Sequence, residues 1–283
     1  MDENRSPGWL EDVEIVRRTF KDRFGHEPDL DNPQTFNEKI AYKILFDRRP
    51  LLTLVADKIR VRDYVKQRVG DACLTRLYQT CRTPQEIDWS ALPRRFIVKA
   101  SHGSGMTAIV HDKEEVDRGA LFRTLEGWLH TNYYYACRRE WAYRDITPTL
   151  MLEELLTDKR GHVPVDFKFF VFDGRATYLQ IDLDRFSQHT RTLYNRDLQR
   201  LDVKFHYPTY EGQFDFPANI AEMFELASRL ASGFDFIRVD LYNVAGRIFF
   251  GELTNYPEEG RGVFDPPEYD AIFGAQWRLP ARY

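Results

Sequence analysis

The chain has 283 residues, 43% of them hydrophobic and 14% aromatic, with 30% charged residues and a formal net charge of −4. That length and apolar content suit one large folded domain or two closely joined ones, and the mildly acidic balance excludes a general nucleic-acid binder. Three cysteines without a CxxC (Cys73, Cys81, Cys137) argue against a disulfide frame and a zinc site, and no apolar run approaches the ~18 residues of a membrane span.

The opening MDENRSPGW lacks the basic and apolar regions of a signal peptide, so cytoplasm is the expected location. Leu10, Val13, Val16, Phe20 and Phe24 recur at helical spacing ahead of Gly25 and predict a first helix. Thr35-Phe-Asn-Glu38 reads as a capping box, with Phe36, Ile40, Ile44 and Leu45 inward on a second helix. A third helix is expected from about Leu54 to Val69, ending at Gly70, with Asp57, Lys58 and Arg62 forming an exposed charged face.

The pattern changes at Arg95. Arg95–Ala100 reads as a strand, Ser101-His-Gly-Ser-Gly105 as a glycine-rich loop, and Thr107–Val110 as a second strand. Such glycines let a backbone approach closely, and successive N–H groups in such a loop cradle a phosphate. Lys99, at the strand end, is placed to reach the same anion. An ordinary hairpin carries similar letters, and the spacing is not that of a Walker loop. Glu114–His130 reads as an amphipathic helix. Asn132–Arg144 mixes arginines with aromatics, either to stack on a sugar or base or to pack arginine stems over rings.

Thr149–Leu156 is expected to be a strand ending in Glu153 and Glu154. In Val165–Phe172 the apolar residues take one face, and Asp166 and Lys168 the other. Asp173-Gly174 then turns the chain into a return strand, Ala176–Leu183. The stretch Asp182–Arg191 collects Asp182, Asp184, Arg185, His189 and Arg191, as a solvated loop or as a site for an anionic substrate. After an amphipathic helix over Asn219–Ser232, Ile237–Pro257 reads as a hairpin turning at Gly246. With a three-residue loop, Val244 pairs with Ile248 and Asp240 faces Glu252, roughly 5 Å away at Cβ. Two carboxylates that close call for a cation between them, and Mg²⁺ shared with phosphates takes such a pair. A solvated hairpin with an incidental acidic pair is the alternative. Glu258–Gly262, EEGRG, is a turn able to close over a ligand. Hairpin-linked strands with helices between them give the class α+β.

The order of these features resembles the ATP-grasp superfamily. The segments NPQTFNEKI, LVADKIRVRDYV, FIVKASHGSG, NYYY, REW, DFKFFVFDG, DRF, RVDLYN and GELTNYP resemble its TupA-like branch, found among polysaccharide-biosynthesis proteins, from about Asn32 to Pro257. The resemblance implies an ATP-grasp fold of two α+β lobes enclosing ATP. A helical region over 1–93 would contribute Lys58, a small lobe over 94–157 the glycine-rich lid, and a large lobe over 158–283 the metal hairpin. Lys58 and Lys99 would hold ATP phosphates under a lid including Ser101, Gly103, Ser104 and Gly105. Glu153, Glu154 and Leu155 would form the adenine hinge. Asp166 would bind the ribose, and Lys168 would face the phosphates. Asp240 and Glu252 would hold Mg²⁺, joined by Thr254 where the superfamily usually has Asn. Arg238, Lys168 and Arg185 are the implied catalytic residues.

The implied reaction is an ATP- and Mg²⁺-dependent carboxylate–amine ligation through an acylphosphate. Its implied setting is surface-polysaccharide or peptide-modified glycan biosynthesis. The partners would be a glycan or small-molecule carboxylate and an amine such as an amino acid, with no nucleic acid and no transmembrane segment. Association with a membrane-bound glycan assembly complex is compatible with the composition. The alternatives are a kinase of a sugar or small molecule, a glycosyltransferase using a nucleotide sugar, and a nucleotide-binding subunit without catalysis.

Overall fold

A computed structural model describes residues 8–183 and 188–281. Asp184 and Arg185 lie outside the described residues. The chain is α+β.

Helix α1 (Trp9–Phe24) stops where Gly25 turns left-handed at φ 81°, and buries Val16 and Phe20. Leu10, which shares the apolar spacing of this helix, is 74% exposed. Helix α2 (Phe36–Phe46) starts at the capping box: the Thr35 hydroxyl accepts from the Glu38 amide, and the Glu38 carboxylate accepts from the Thr35 amide at 3.0 Å. The expected third helix is two, α3 (Pro50–Ala56) and α4 (Arg60–Val69). Asp57 is extended between them, and its Oδ1 accepts from the amides of Ile59 (2.9 Å) and Arg60 (3.3 Å), satisfying donors that open α4. Lys58 therefore sits at a helix junction. Asp57 is buried and Arg62 donates to the Thr75 carbonyl at 2.6 Å, so the exposed charged face expected there does not form.

The first sheet is antiparallel, in the order β1 (Leu77–Cys81), β4 (Leu150–Glu153), β2 (Phe96–Ala100), β3 (Thr107–Val110). Strand β1 falls in a stretch read as mainly helical. Five residues, LYQTC, are too few to show a period, and pairing with the distant β4 defines the strand. Helix α5 (Arg118–Leu129) starts later than expected, at Asp117, whose side chain accepts from the Ala120 amide. It packs Leu121 and Leu125 on Phe96, Val98 and Leu152 in a core separate from the main one. A short helix, α6 (Tyr133–Ala136), follows.

The second sheet comprises β5 (Asp166–Phe172), β6 (Arg175–Leu183), β7 (Thr190–Asn195), β9 (Phe236–Val244) and β10 (Arg247–Thr254), antiparallel in the order β10-β9-β5-β6-β7. A small pair, β8 (Lys204–Phe205) with β11 (Phe264–Asp265), lies beyond it. Phe169 meets Phe224 of helix α7 (Ile220–Leu230) on one face, ring centroids 4.9 Å apart. The other face changes character along its strands. At one end Phe172 and Phe236 crowd Phe36 of α2, which also meets Phe273 of helix α8 (Glu268–Gln276) and Trp277. Two to six residues along the same strands the positions are Lys168, Asp166, Arg238 and Asp240. The aromatic half anchors the sheet and leaves a charged half for chemistry. No helix among the described residues is long and apolar enough to cross a membrane.

Candidate functional site

The charged half is built on the β9–β10 hairpin. Its turn has two central residues, Ala245 (φ 52°) and Gly246 (φ 86°), with Val244 paired to Arg247 rather than to Ile248. Unbroken, that register would set Asp240 against Gly251. A bulge between Phe250 and Glu252 removes one residue from the count and brings Glu252 opposite Asp240. A Cβ on Gly251 would lie 2.9 Å from the Asp240 carbonyl oxygen and 3.1 Å from the Tyr242 ring, so the bulge requires glycine. The expected pairing of carboxylates holds, reached by a tighter turn plus a bulge.

Asp240 is 2% exposed and receives three charged hydrogen bonds: Arg238 Nε at 2.7 Å, Arg238 Nη2 at 2.8 Å and Lys168 Nζ at 2.7 Å. Lys168 reaches across from β5, where it also lies 3.1 Å from Asp166 Oδ2. Burial pushes the Asp240 carboxyl up against Arg238 and Lys168, and the facing Glu252 adds to that push. The two cations oppose that push without reversing it, and each is itself stabilised in its charged form. Glu252 differs. Its Oε1 accepts from Thr254 Oγ1 (2.8 Å) and Arg238 Nη2 (3.3 Å), no described residue donates to its Oε2, and its side chain is 39% exposed. Burial pushes this carboxyl up too, but Lys58, Arg238 and Lys168 outweigh that and hold it at about 2.

Lys58 is the first of these charges, and α3, which ends just before it, packs against β10, so the first sheet's loop lies beside the hairpin. From the α3–α4 junction Lys58 donates its amide to the Ser101 carbonyl (3.1 Å) and its Nζ to the Gly103 carbonyl. Burial lowers its pKa, Glu252 raises it and neighbouring Lys99 lowers it. Lys99 pairs with Glu153 on β4, where Thr75 Oγ1 (2.6 Å) and Arg62 Nη1 (3.5 Å) also converge. Ser101 and Gly103 are buried, while Ser104 and Gly105 form the exposed tip of the loop. The amide of Glu154 donates to the Arg76 carbonyl at 2.9 Å, and half-buried Leu155 follows.

The charged stretch Asp182–Arg191 and the turn Glu258–Gly262, both singled out by the sequence, meet beside this cluster. Next to Asp166 on the sheet is Asp182, which accepts from Arg191 Nε (2.7 Å) and Nη2 (3.2 Å) and from Gln180. Arg191 also donates to Glu258 Oε1 at 2.8 Å, so this arginine ties the turn after β10 to the sheet. Residues 132–144 pack over the glycine loop: a Cβ on Gly103 would lie 2.9 Å from the Tyr133 ring. Arg139 and Tyr134 of that segment are structural, bonded to Glu11 and Asp12 on α1. Glu140 is 5% exposed, and burial, then the charge of Glu259, pushes its carboxyl well up, with Glu252 adding. The letters REW give no sign that this glutamate approaches a hairpin more than a hundred residues away. Two surface grooves bordering α7 touch none of these groups.

The donor set is oxygen-only: two carboxylates and a hydroxyl on paired strands, one carboxylate oxygen without a protein donor among the described residues. That fits a hard divalent cation whose remaining ligands are phosphate oxygens. Among the described residues no group of three or more His, Cys, Asp or Glu side chains forms a cage of protein ligands alone.

A family model described as TupA-like ATPgrasp matches residues 38–278. No curated protein matches the chain. Solved structures that are similar include D-alanine–D-alanine ligase from Bacillus anthracis (18% identity, 72% of this chain and 59% of that chain, TM-score 0.42). Others are the ATP-grasp ligase PsnB with a phosphomimetic precursor variant, Mg and ADP (14%, 84% and 66%, TM-score 0.46), and phosphoribosylamine–glycine ligase from Thermotoga maritima (13%, 76% and 52%, TM-score 0.46). The chain spans less than two thirds of the length of these structures.

Proposed function

The chain belongs to the TupA-like ATP-grasp family, and from that premise we propose that it is an ATP- and Mg²⁺-dependent carboxylate–amine ligase working through an acylphosphate. One observation supports this above the others. Lys58 from a helix junction, a glycine-rich loop, and the Asp240–Glu252 pair of a distant hairpin converge on one charged cluster. Phosphoryl transfer needs little else from a protein than positioning and charge neutralisation.

The residues divide the work as follows. Lys58 and Lys99 hold the triphosphate, with the tip Ser104–Gly105 closing over it. Glu153 to Leu155 border the adenine, and Asp166 takes the ribose. Asp240 and Glu252, with Thr254 as a third oxygen, hold Mg²⁺, which when bound neutralises phosphate charge. Arg238 and Lys168 fix those carboxylates and present positive charge toward the transferred phosphoryl group; Arg185, with His189 and Arg191, is assigned to positioning the attacking substrate carboxylate. A substrate carboxylate oxygen attacks the γ-phosphorus and ADP leaves. An amine nitrogen then attacks the acyl carbon, phosphate leaves, and the amine proton passes to a base, giving the amide. We assign the acceptor to a uronic-acid type carboxylate, with an amino acid as amine, in surface-polysaccharide synthesis in the cytoplasm beside a membrane-bound glycan assembly complex. ADP release that requires both a carboxylate and an amine supports this reading. ADP release driven by a hydroxyl acceptor alone overturns it in favour of a kinase.

A further inference from the structure

Arginines in this protein grip carboxylates in one recurring way. Arg49 on Asp47, Arg191 on Asp182 and Arg238 on Asp240 each present the edge formed by Nε and Nη2. That edge offers two parallel N–H groups matched to the two oxygens of a carboxylate. Arg138 holds the same edge buried. The residue is 8% exposed, and among the described residues neither its Nε nor its Nη2 has a hydrogen-bond partner. Its Nη1 is fixed by the Glu259 carbonyl at 3.2 Å. The Glu259 carboxylate does not fill the edge: its Oε2 is 3.9 Å from Arg138 Nε and bonds Arg261 Nη2 at 2.8 Å.

A buried guanidinium with two unmade hydrogen bonds is costly unless something completes it. The charges around it leave room for an anion. Arg138 and Arg261 share one carboxylate, Glu259, and the Nε of Arg261 is likewise buried without a partner. The other nearby carboxyl, Glu140, is pushed toward its neutral form by burial. The place is next to the proposed chemistry. Glu258, adjacent to Glu259, bonds Arg191 and is among the charges acting on Arg238. Glu140, two residues from Arg138, senses Glu252. Glu258 and Glu259 are both left-handed (φ 50° and 56°), a strained backbone of the kind held at ligand clamps.

We propose that the Nε–Nη2 edge of Arg138, with Arg261 beside it, is a carboxylate subsite of the active centre that binds one substrate through a bidentate ion pair. The inference rests on the ligase reading, and it adds a recognition residue from the segment 132–144. Two sources supply a carboxylate: the acid to be activated, and the amine component if it is an amino acid.

The test is calorimetric binding to protein saturated with Mg²⁺ and the non-hydrolysable analogue AMPPNP. The probes are D-glucuronate, L-glutamate and glycine; glucuronamide and glycinamide, which lack the carboxylate, are the controls for the first and the last. Wild type should bind at least one carboxylate and not its amide. Arg138→Gln should weaken that binding roughly tenfold or more, and Arg138→Lys should recover part of it, because charge returns without the paired donors. A uronate effect assigns the edge to the acid, and an amino-acid effect to the amine component. AMPPNP affinity unchanged in both variants shows that the fold and nucleotide site are intact. Carboxylate binding unchanged in Arg138→Gln, or absent from wild type holding Mg–AMPPNP, overturns the subsite. Failure of wild type to bind Mg–AMPPNP at all instead overturns the ligase reading, and the subsite with it.

Discussion

Gly251→Ala tests how the hairpin builds the site. The new Cβ would come within 2.9 Å of the Asp240 carbonyl oxygen and 3.1 Å of the Tyr242 ring, and the first of these is backbone paired into the sheet. Relief needs a shift of a few tenths of an ångström in β9 or β10, an overpacking that costs about 1–3 kcal/mol. For a chain of this size that is a fall in Tm of roughly 2–5 °C. The same shift separates Asp240 from Glu252, and misplacements of this order cost roughly ten- to a hundredfold in rate. The assays are thermal unfolding and ADP release. Gly127→Ala in α5 is the control, since its Cβ meets nothing within 4 Å and alanine favours the helix. A Gly251→Ala protein that melts and turns over like wild type would refute the bulge as the device that sets the carboxylates opposite one another.

Two other substitutions probe the charged face of the sheet. Lys168→Met leaves buried Asp166 and Asp240 without the cation between them and should lower stability by about 3–5 kcal/mol, read by urea unfolding. Asp182→Asn probes pH. Burial pushes the Asp182 carboxyl up, but Arg191, Lys168 and His189 outweigh that and hold it at about 2, below its model-compound value of 3.8. A depressed carboxyl contributes stability that is complete above the unfolded pKa and is lost as pH falls through the folded one. The advantage of wild type over Asp182→Asn should therefore shrink by about 2–3 kcal/mol between pH 5 and pH 2. A pH-independent difference would show that Asp182 is not held ionised by these neighbours.

What the sequence revealed follows the range of the interactions involved. The α2 capping box is local, and Thr35 and Glu38 meet as their spacing predicts. Alternation along β5 and β9 is local too, so Asp166 with Lys168 and Arg238 with Asp240 emerge on one face. The hairpin register was harder. A glycine inside a strand, Gly251, was the signal of a bulge that a count from the turn alone misses. Lys58 was read as part of a helix because Asp57 looks like any exposed acid until its side chain is seen capping α4. The stretch holding Arg138 and Glu140 was legible as basic and aromatic, but its contacts were not: Glu259 and Glu252 lie more than a hundred residues away, with no periodicity to link them.

The central claim is that Lys58 and Glu252, joined by no pattern in the sequence, serve one magnesium–nucleotide site. Calorimetry of AMPPNP with and without Mg²⁺, on wild type, Lys58→Gln, Glu252→Gln and the double variant, addresses it directly. We predict that Mg²⁺ tightens binding to wild type, that each single variant loses most of that gain, and that the two losses are not additive. Equal nucleotide affinity with and without Mg²⁺, or additive losses as from independent sites, would contradict the account.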